Sequence, residues 1–430
     1  MSVPPSPALP RNNATIKDHI YGMVIGSALG DTIGLYTEFM TKAQAEKAYP
    51  RLEPRLQPEF RLYPNNTTPF HMDRHRSRFV PRHWTDDTDH ALCILLSYVH
   101  NGGQIDAKDF AERLSYWRTF GTLALGTLPL GLGSTVNAVL SSKKFLSDPV
   151  KAAYEVWKPT GNVAANGSLM RIHPLGAMCV FKTLNETFEI TTANSTTTHA
   201  DPRCVFACLI QVGLIRGLLR GEVTKQEDID DIFEQADTWY GGWSVEQERV
   251  GRDEYFDTYD ETIREATTVV MHRYFTFAPL QLDEKPRIGY VFKALGAAVR
   301  CLRVAIEFHE EDKDHKLLRG QVFQKLITDL AMEAGDADTN ACIAGALLGA
   351  YLGWEDIPAQ WRDNLRHGVW LQRMTEGMCR ILGVGDGAFD VGDYPDAARH
   401  GGVGFPSKDE LEERWDTYRR KILARTTGLE

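Results

Sequence analysis

Apolar residues recur along most of this chain at the three- and four-residue spacing of helices buried on one face. After Asp87 they fall at Ala91, Ile94, Leu95 and Tyr98. The same period predicts helices over residues 16–33, 107–120, 203–219, 227–239, 257–273, 289–308, 321–333, 341–352, 369–382 and 408–424. Strand-like alternation is scarce and short. The expected fold is all-α, a compact orthogonal bundle of many helices.

Three stretches break the pattern. Met1–Thr15 is rich in Pro, Asn and Ser and has no apolar run, so a disordered lead over 1–15 is expected, with one domain over 16–430. Residues 224–261 are charged and aromatic and read as a surface helical excursion. Beyond about residue 383 a glycine-rich loop leads to a final helix, and this tail reads as an extension.

Two glycine ladders run through apolar helices: Gly22, Gly26, Gly30, Gly34 and Gly345, Gly349, Gly353. Glycine at every fourth position bares one side of a helix. Each costs about 1 kcal/mol against alanine, so close packing of a second helix must compensate. Such packing would fix Asp31 relative to Asp336 and Asp338.

Composition narrows the class. The 430 residues are 43% hydrophobic and 25% charged, with net charge −10 and no basic block, which argues against a nucleic-acid surface. No run of 18 apolar residues marks a membrane span. The seven cysteines show no CxxC pairing and sit in apolar helical runs, as buried free thiols in a reducing compartment do. A cytoplasmic monomer, with nuclear access open to it, is expected.

The chemistry concentrates in two acidic clusters, Trp84-Thr85-Asp86-Asp87-Thr88-Asp89 and Gly335-Asp336-Ala337-Asp338-Thr339-Asn340. Taken alone, the first is a good helix start, with Thr85 as N-cap and acids at the dipole. However, Asp87 lies on the buried stripe, where an unpartnered carboxylate is costly. Six oxygen donors, from Thr85, Asp86, Asp87, Asp336, Asp338 and Thr339, suit Mg²⁺ or Mn²⁺, one ion or two. The second set is expected in a loop. No histidine flanks Asp336 or Asp338, which disfavours zinc. Glu38 follows the first laddered helix and reads as a movable acid or base. Asn166-Gly167-Ser168 can open a helix toward an anion, and Gly131-Leu132-Gly133-Ser134 is a second candidate phosphate cradle. His199 stands in Thr198-His199-Ala200.

Together these motifs resemble the ADP-ribosylglycohydrolase family. They are Gly30-Asp31 through Glu38, Trp84 to Thr88, Asn166 to Arg171, Thr198 to Ala200 and Gly335 to Asn340, in family order. The resemblance implies an all-α domain with a central cleft holding two Mg²⁺ or Mn²⁺ ions. It implies Thr85, Asp86, Asp87, Asp336, Asp338 and Thr339 as metal ligands, and Glu38 on a mobile flap. Asn166, Gly167, Ser168 and His199, with Gly131, Gly133 and Ser134, would hold ADP-ribose. Glu38 and Asp87 would be catalytic, and the partner an ADP-ribosylated protein. Two departures stand out: Asp89-His90, and the loop Gly161-Asn162-Val163-Ala164-Ala165 before Asn166. The expected activity is metal-dependent hydrolysis of the ribosyl C1″ bond to an arginine, a serine or a small conjugate. The rival readings are a non-catalytic, crystallin-like ADP-ribose binder and a di-metal nucleotide phosphohydrolase.

Overall fold

The computed structural model describes residues 11–51, 58–160, 164–273, 276–311 and 319–427. Most of the expected lead and the start of the loop before Asn166 (residues 161–163) lie outside them. The described part of the lead is helical from Asn13, because the Asn12 side chain caps Thr15. Residues 13–15 therefore belong to the first helix.

The fold is all-α. The first half holds α1 (Asn13–Gly34), α2 (Lys42–Ala48), α3 (Asp86–His100), α4 (Ala107–Phe120), α5 (Ser134–Leu140), α6 (Pro149–Trp157), α7 (Pro174–Met178), α8 (Leu184–Ser195) and α9 (Pro202–Arg220). The second half holds α10 (Gln226–Arg249), α11 (Glu254–Asp257), α12 (Tyr259–Val270), α13 (Val291–Glu311), α14 (Arg319–Ala331), α15 (Ala337–Leu352), α16 (Ala359–Arg362), α17 (Gly368–Ile381) and α18 (Lys408–Thr427). One antiparallel hairpin pairs β1 (Leu62–Tyr63) with β2 (Asn66–Thr67).

The two glycine ladders pack on each other. A Cβ at Gly26 would lie 2.5 Å from the Gly345 carbonyl oxygen, one at Gly22 2.3 Å from that of Gly349, and one at Gly30 1.9 Å from that of Ala341. The pairing runs in opposite directions along the two chains, so α1 and α15 form an antiparallel seam with backbones in contact. Helix α15 begins at Ala337, four residues before the expected start. Asp338 and Thr339 therefore project from its first turn and are not in a loop.

Helix α9 is long and apolar enough to cross a membrane, but it is enclosed by protein. Helices α8, α10, α12 and α13 pack around it. The stretch over 224–261 is not an excursion. Its aromatic residues complete the core: Tyr240 and Tyr255 are buried, Tyr240 stacks on Tyr259, and Trp243 meets Tyr255 edge-on. The glycine-rich segment after Ile381 is tied down, with Tyr394 buried against Gly377 and Arg399 paired to Asp109 and Glu112. All seven cysteines are free and buried.

Candidate active site

Asp31, near the end of α1, is fully buried and faces the start of α3. Its carboxylate accepts the Thr85 N–H at 2.9 Å, the Thr88 N–H at 3.0 Å and the Thr88 hydroxyl at 2.6 Å. An acid on the first helix thus caps the third, satisfying amides that every helix start leaves open. The cap fixes Thr85, whose hydroxyl lies 3.2 Å from Asp87 Oδ2 and 3.4 Å from Asp338 Oδ2. The two acidic clusters meet there. Within the first turn of α15, Asp338 Oδ1 accepts the Thr339 N–H at 2.9 Å, and the Thr339 side chain acts on Asp87.

The turn after α1 brings in Glu38. Phe39 donates its N–H to the Gly335 carbonyl at 2.6 Å, and Gly335 returns its own to Met40 at 3.0 Å. Ala334 and Gly335 both take positive φ to make this exchange. The Arg76 guanidinium, itself buried, donates to the carbonyls of Tyr36 and Glu38. Glu38 is therefore buried on an anchored turn in this structure, where a flap had been expected. One oxygen each of Glu38, Asp336 and Asp338 lies within 4.8 Å of the others. Glu38 Oε2 is 2.5 Å from His75 Nε2, and the imidazole is wedged between Phe39 and Phe79.

Burial dominates the electrostatics. It pushes Asp31 and Asp336 up to about 7 and raises Asp86, Asp87 and Asp338 well above the ordinary carboxylate range. The next causes are mutual. Asp86 feels Asp87 and Glu38, Asp87 feels Asp31 and Asp336, and Asp338 feels Glu38 and Asp87. Asp87 Oδ1 is buried with no hydrogen-bond partner. Asp89 is set apart from this group. Its two oxygens accept the indole N–H groups of Trp84 at 2.9 Å and Trp117 at 2.8 Å.

The sequence model of the family described as ADP-ribosylglycohydrolase matches residues 12–388. The chain belongs to the ADP-ribosylglycohydrolase family. It is 24% identical over 353 residues to the ADP-ribosylarginine hydrolase Tri1 of Serratia proteamaculans, covering 81% of this chain and 75% of that one. It is 22% identical over 381 residues to the ADP-ribosyl-[dinitrogen reductase] glycohydrolase of Rhodospirillum rubrum, covering 86% and 98%. It is 20% identical over 348 residues to the human ADP-ribosylhydrolase ARH3, covering 80% and 88%. A solved structure titled ADP-ribosylglycohydrolase-related protein complex shares the fold at TM-score 0.50 and 21% identity, covering 85% of this chain and 98% of that one. The chain is thus a hydrolase of a metal-dependent family.

This member's residues fit a hard divalent cation. The acids are buried, the clustered donors are all oxygen, the orphaned Asp87 Oδ1 lacks a partner, and the carboxylates repel one another. Thr85, Asp86, Asp87, Asp336, Asp338 and Thr339 lie together where α3 meets the start of α15, with Glu38 beside Asp336 and Asp338.

The residues expected to hold the nucleotide are placed less uniformly. The Asn166 Nδ2 donates to Asp336 Oδ2 at 2.6 Å, so Asn166 orients an acid of the cluster. No helix starts at Gly167, and residues 167–171 form turns. Ser168 turns inward beside Cys208 and is fully enclosed, so its side chain is not open to substrate. Gly131 abuts the cluster: with φ +96°, a Cβ there would sit 2.1 Å from Asp86 Oδ1. Gly133 and Ser134 are exposed at the start of the seven-residue α5.

His199 lies beside Gly167, where a Cβ would come within 3.0 Å of its Nε2. Its tautomer follows from its partners. Arg171 can only donate, and its Nη2 reaches Thr198 Oγ1 at 2.7 Å. The Thr198 hydroxyl proton then goes to His199 Nδ1 at 2.8 Å, since no other acceptor for it exists among the described residues. The ring therefore carries its hydrogen on Nε2, buried and without a protein partner. Burial first, and the Arg171 charge second, hold it neutral. Sequence reasoning missed His75 altogether and did not see Asp31 as the cap of α3.

Proposed function

We propose that the protein hydrolyses the C1″ bond joining ADP-ribose to an arginine side chain of a modified protein, releasing ADP-ribose. The observation that carries this reading is the convergence of Glu38, Thr85, Asp87, Asp336 and Asp338 on one buried, oxygen-only centre. Support for arginine comes from the relatives in Serratia proteamaculans and Pseudomonas putida, both named ADP-ribosylarginine hydrolase.

Two Mg²⁺ ions, or Mn²⁺ in their place, would be held by Thr85, Asp86, Asp87, Asp336, Asp338 and Thr339. Bound cations there would supply Lewis acidity and orient the ribose hydroxyls. The chain's own groups do the rest. Asn166 holds Asp336 in place, and Asp31 holds Thr85. Glu38 Oε2 is the group placed to hold or give up a proton, with His75 Nε2 fixing its position. Glycosidic cleavage builds positive charge on the sugar, and a ring of carboxylates favours that charge. The neutral Nε2–H of His199 offers a fixed donor to the nucleotide beside Gly167.

The test is a mass-spectrometric assay with Mg²⁺ on peptides carrying ADP-ribose on arginine or on serine. Release of intact ADP-ribose from the arginine peptide is the expected result. Cleavage confined to the serine peptide overturns the acceptor assignment. AMP and a phosphoribosyl peptide among the products identify a nucleotide phosphohydrolase, and tight ADP-ribose binding with no release identifies a binder.

A further inference from the structure

A cleft of about 800 Å³ reaches Trp84 and Thr85, at the edge of the acidic centre. One wall is the loop over 403–406 together with α18. Both lie beyond residue 388, outside the part of the chain that matches the family. The wall is docked on both sides of the opening. The Tyr418 hydroxyl donates to the Arg78 carbonyl at 3.1 Å, and Arg425 donates to that of Phe79 at 3.0 Å. Arg414 donates to the Thr127 carbonyl at 3.3 Å on the facing loop.

The lining is basic in a chain of net charge −10. Arg78, Arg366, Arg414 and Lys421 line it, and none of the four makes an ion pair among the described residues. Three acids line it: Asp89, whose two oxygens are taken by the Trp84 and Trp117 indoles, and Glu410 and Glu413 from the first turns of α18, of which Glu410 is already occupied with the Ser407 N–H. Unpaired cations around a concave surface raise the local concentration of anions. None of Gly131, Gly133, Ser134, Asn166, Gly167, Ser168 or His199 lines this cleft. An ADP-ribosyl group held beside Gly131, Gly167 and His199 leaves the cleft for whatever the group is attached to.

We propose that this cleft is an acceptor subsite, built by the carboxy-terminal segment, that binds an acidic stretch of the modified polypeptide. The proposal rests on the ADP-ribosyl reading of the acidic centre. Its specificity is electrostatic: acidic residues flanking the modified side chain lie along Arg366, Arg414 and Lys421, and the bond to be cut lies past Thr85. Charges of this kind act on encounter and on salt dependence more than on chemistry.

The test uses the full chain and two ADP-ribosyl-arginine peptides, one flanked by Asp and Glu and one by Ser and Gly. The wild type is expected to favour the acidic peptide in kcat/KM, with the preference shrinking as salt rises. The pair Arg414→Glu and Lys421→Glu should cut that preference by about tenfold, as reversed charges at a rim do. An unchanged preference in the double variant overturns the subsite, as does equal use of both peptides by the wild type. Fluorescence anisotropy of the unmodified acidic peptide gives a second readout that needs no turnover. Binding by the wild type and not by the double variant supports the subsite even if no ADP-ribose is released, an outcome that would sink only the hydrolase reading. Binding of ADP-ribose polymer with none of the acidic peptide overturns the polypeptide assignment.

Discussion

The Thr85 hydroxyl stands 3.4 Å from Asp338 Oδ2, joining positions 253 residues apart in the chain. This contact depends on the α1–α15 seam. At the end of the seam a Cβ on Gly34 would lie 2.2 Å from the Ala337 carbonyl oxygen and 2.4 Å from the Asp338 Cα. The glycines are therefore part of the site's geometry as well as of the core's.

Gly34→Ala should force the two helices apart. Overpacking of this kind costs about 1–3 kcal/mol, and backbone contacts offer no flexible side chain to yield. The control is Gly242→Ala in α10, where a Cβ meets nothing within 4 Å. That change should stabilise the chain by up to about 1 kcal/mol through helix propensity. Urea unfolding of both variants checks the pair, and equal stability of the two would refute the seam.

Asp31→Asn keeps the shape and replaces an acceptor by an amide beside three donors. It should cost about 1–3 kcal/mol, the penalty for buried donors left unpaired. Cation affinity should fall with it, because Thr85 loses its anchor. Calorimetric titration of Mg²⁺ or Mn²⁺ reads the second effect, and unchanged affinity would separate the cap from the site.

Glu38→Gln should lower turnover by about 10²–10⁴, the range for losing a general acid or base, with ADP-ribose affinity little changed. His75→Ala should lower turnover by less, because it removes only the partner that positions Glu38. A kcat unmoved by His75→Ala would mean that the 2.5 Å contact with Glu38 is only structural.

Thr198→Val removes the hydroxyl between Arg171 and His199. The ring should lose its fixed tautomer, visible as a change in imidazole ¹⁵N shifts. ADP-ribose affinity should fall about three- to tenfold, the worth of one neutral hydrogen bond. A single unaltered Nε2–H tautomer in the variant would contradict the relay.

Burial lowers His83, His173 and His367 to about 4. Their unfolded value is about 6.5. Below that pH the unfolded chain takes up protons that the folded chain refuses. Stability from these neutral rings is complete above about 6.5 and is lost progressively as pH falls toward 4. The urea midpoint of a His83→Asn variant should fall less, or rise more, across that window than that of the wild type, and equal shifts in the two would contradict the burial of a neutral ring.

Much of this was legible in the sequence because it rests on local spacing. The glycine ladders marked the seam, and the apolar period after Asp87 marked α3. Other parts depend on contacts that no local pattern records. His75 pairs with Glu38 across 37 positions, from a stretch without periodicity. Helix α8 was hidden because its threonines mimic a turn or strand. In the structure, Thr187 and Thr191 satisfy their hydroxyls on the carbonyls four residues back. The Asn166 amide reaches Asp336 at 2.6 Å across 170 positions, a partnership that the Asn-Gly turn does not announce. Aromatic residues in a charged stretch read as surface, although Tyr240 and Tyr255 close the core against α9 and α6.

The most direct test of the acidic centre is release of ADP-ribose from an ADP-ribosylated arginine peptide by metal-stripped protein. Wild type should be silent in chelator and recover on adding Mg²⁺ or Mn²⁺, whereas Asp338→Ala should stay silent at every concentration. Full release in chelator, or near-normal turnover by Asp338→Ala, would contradict a cation held between α3 and α15.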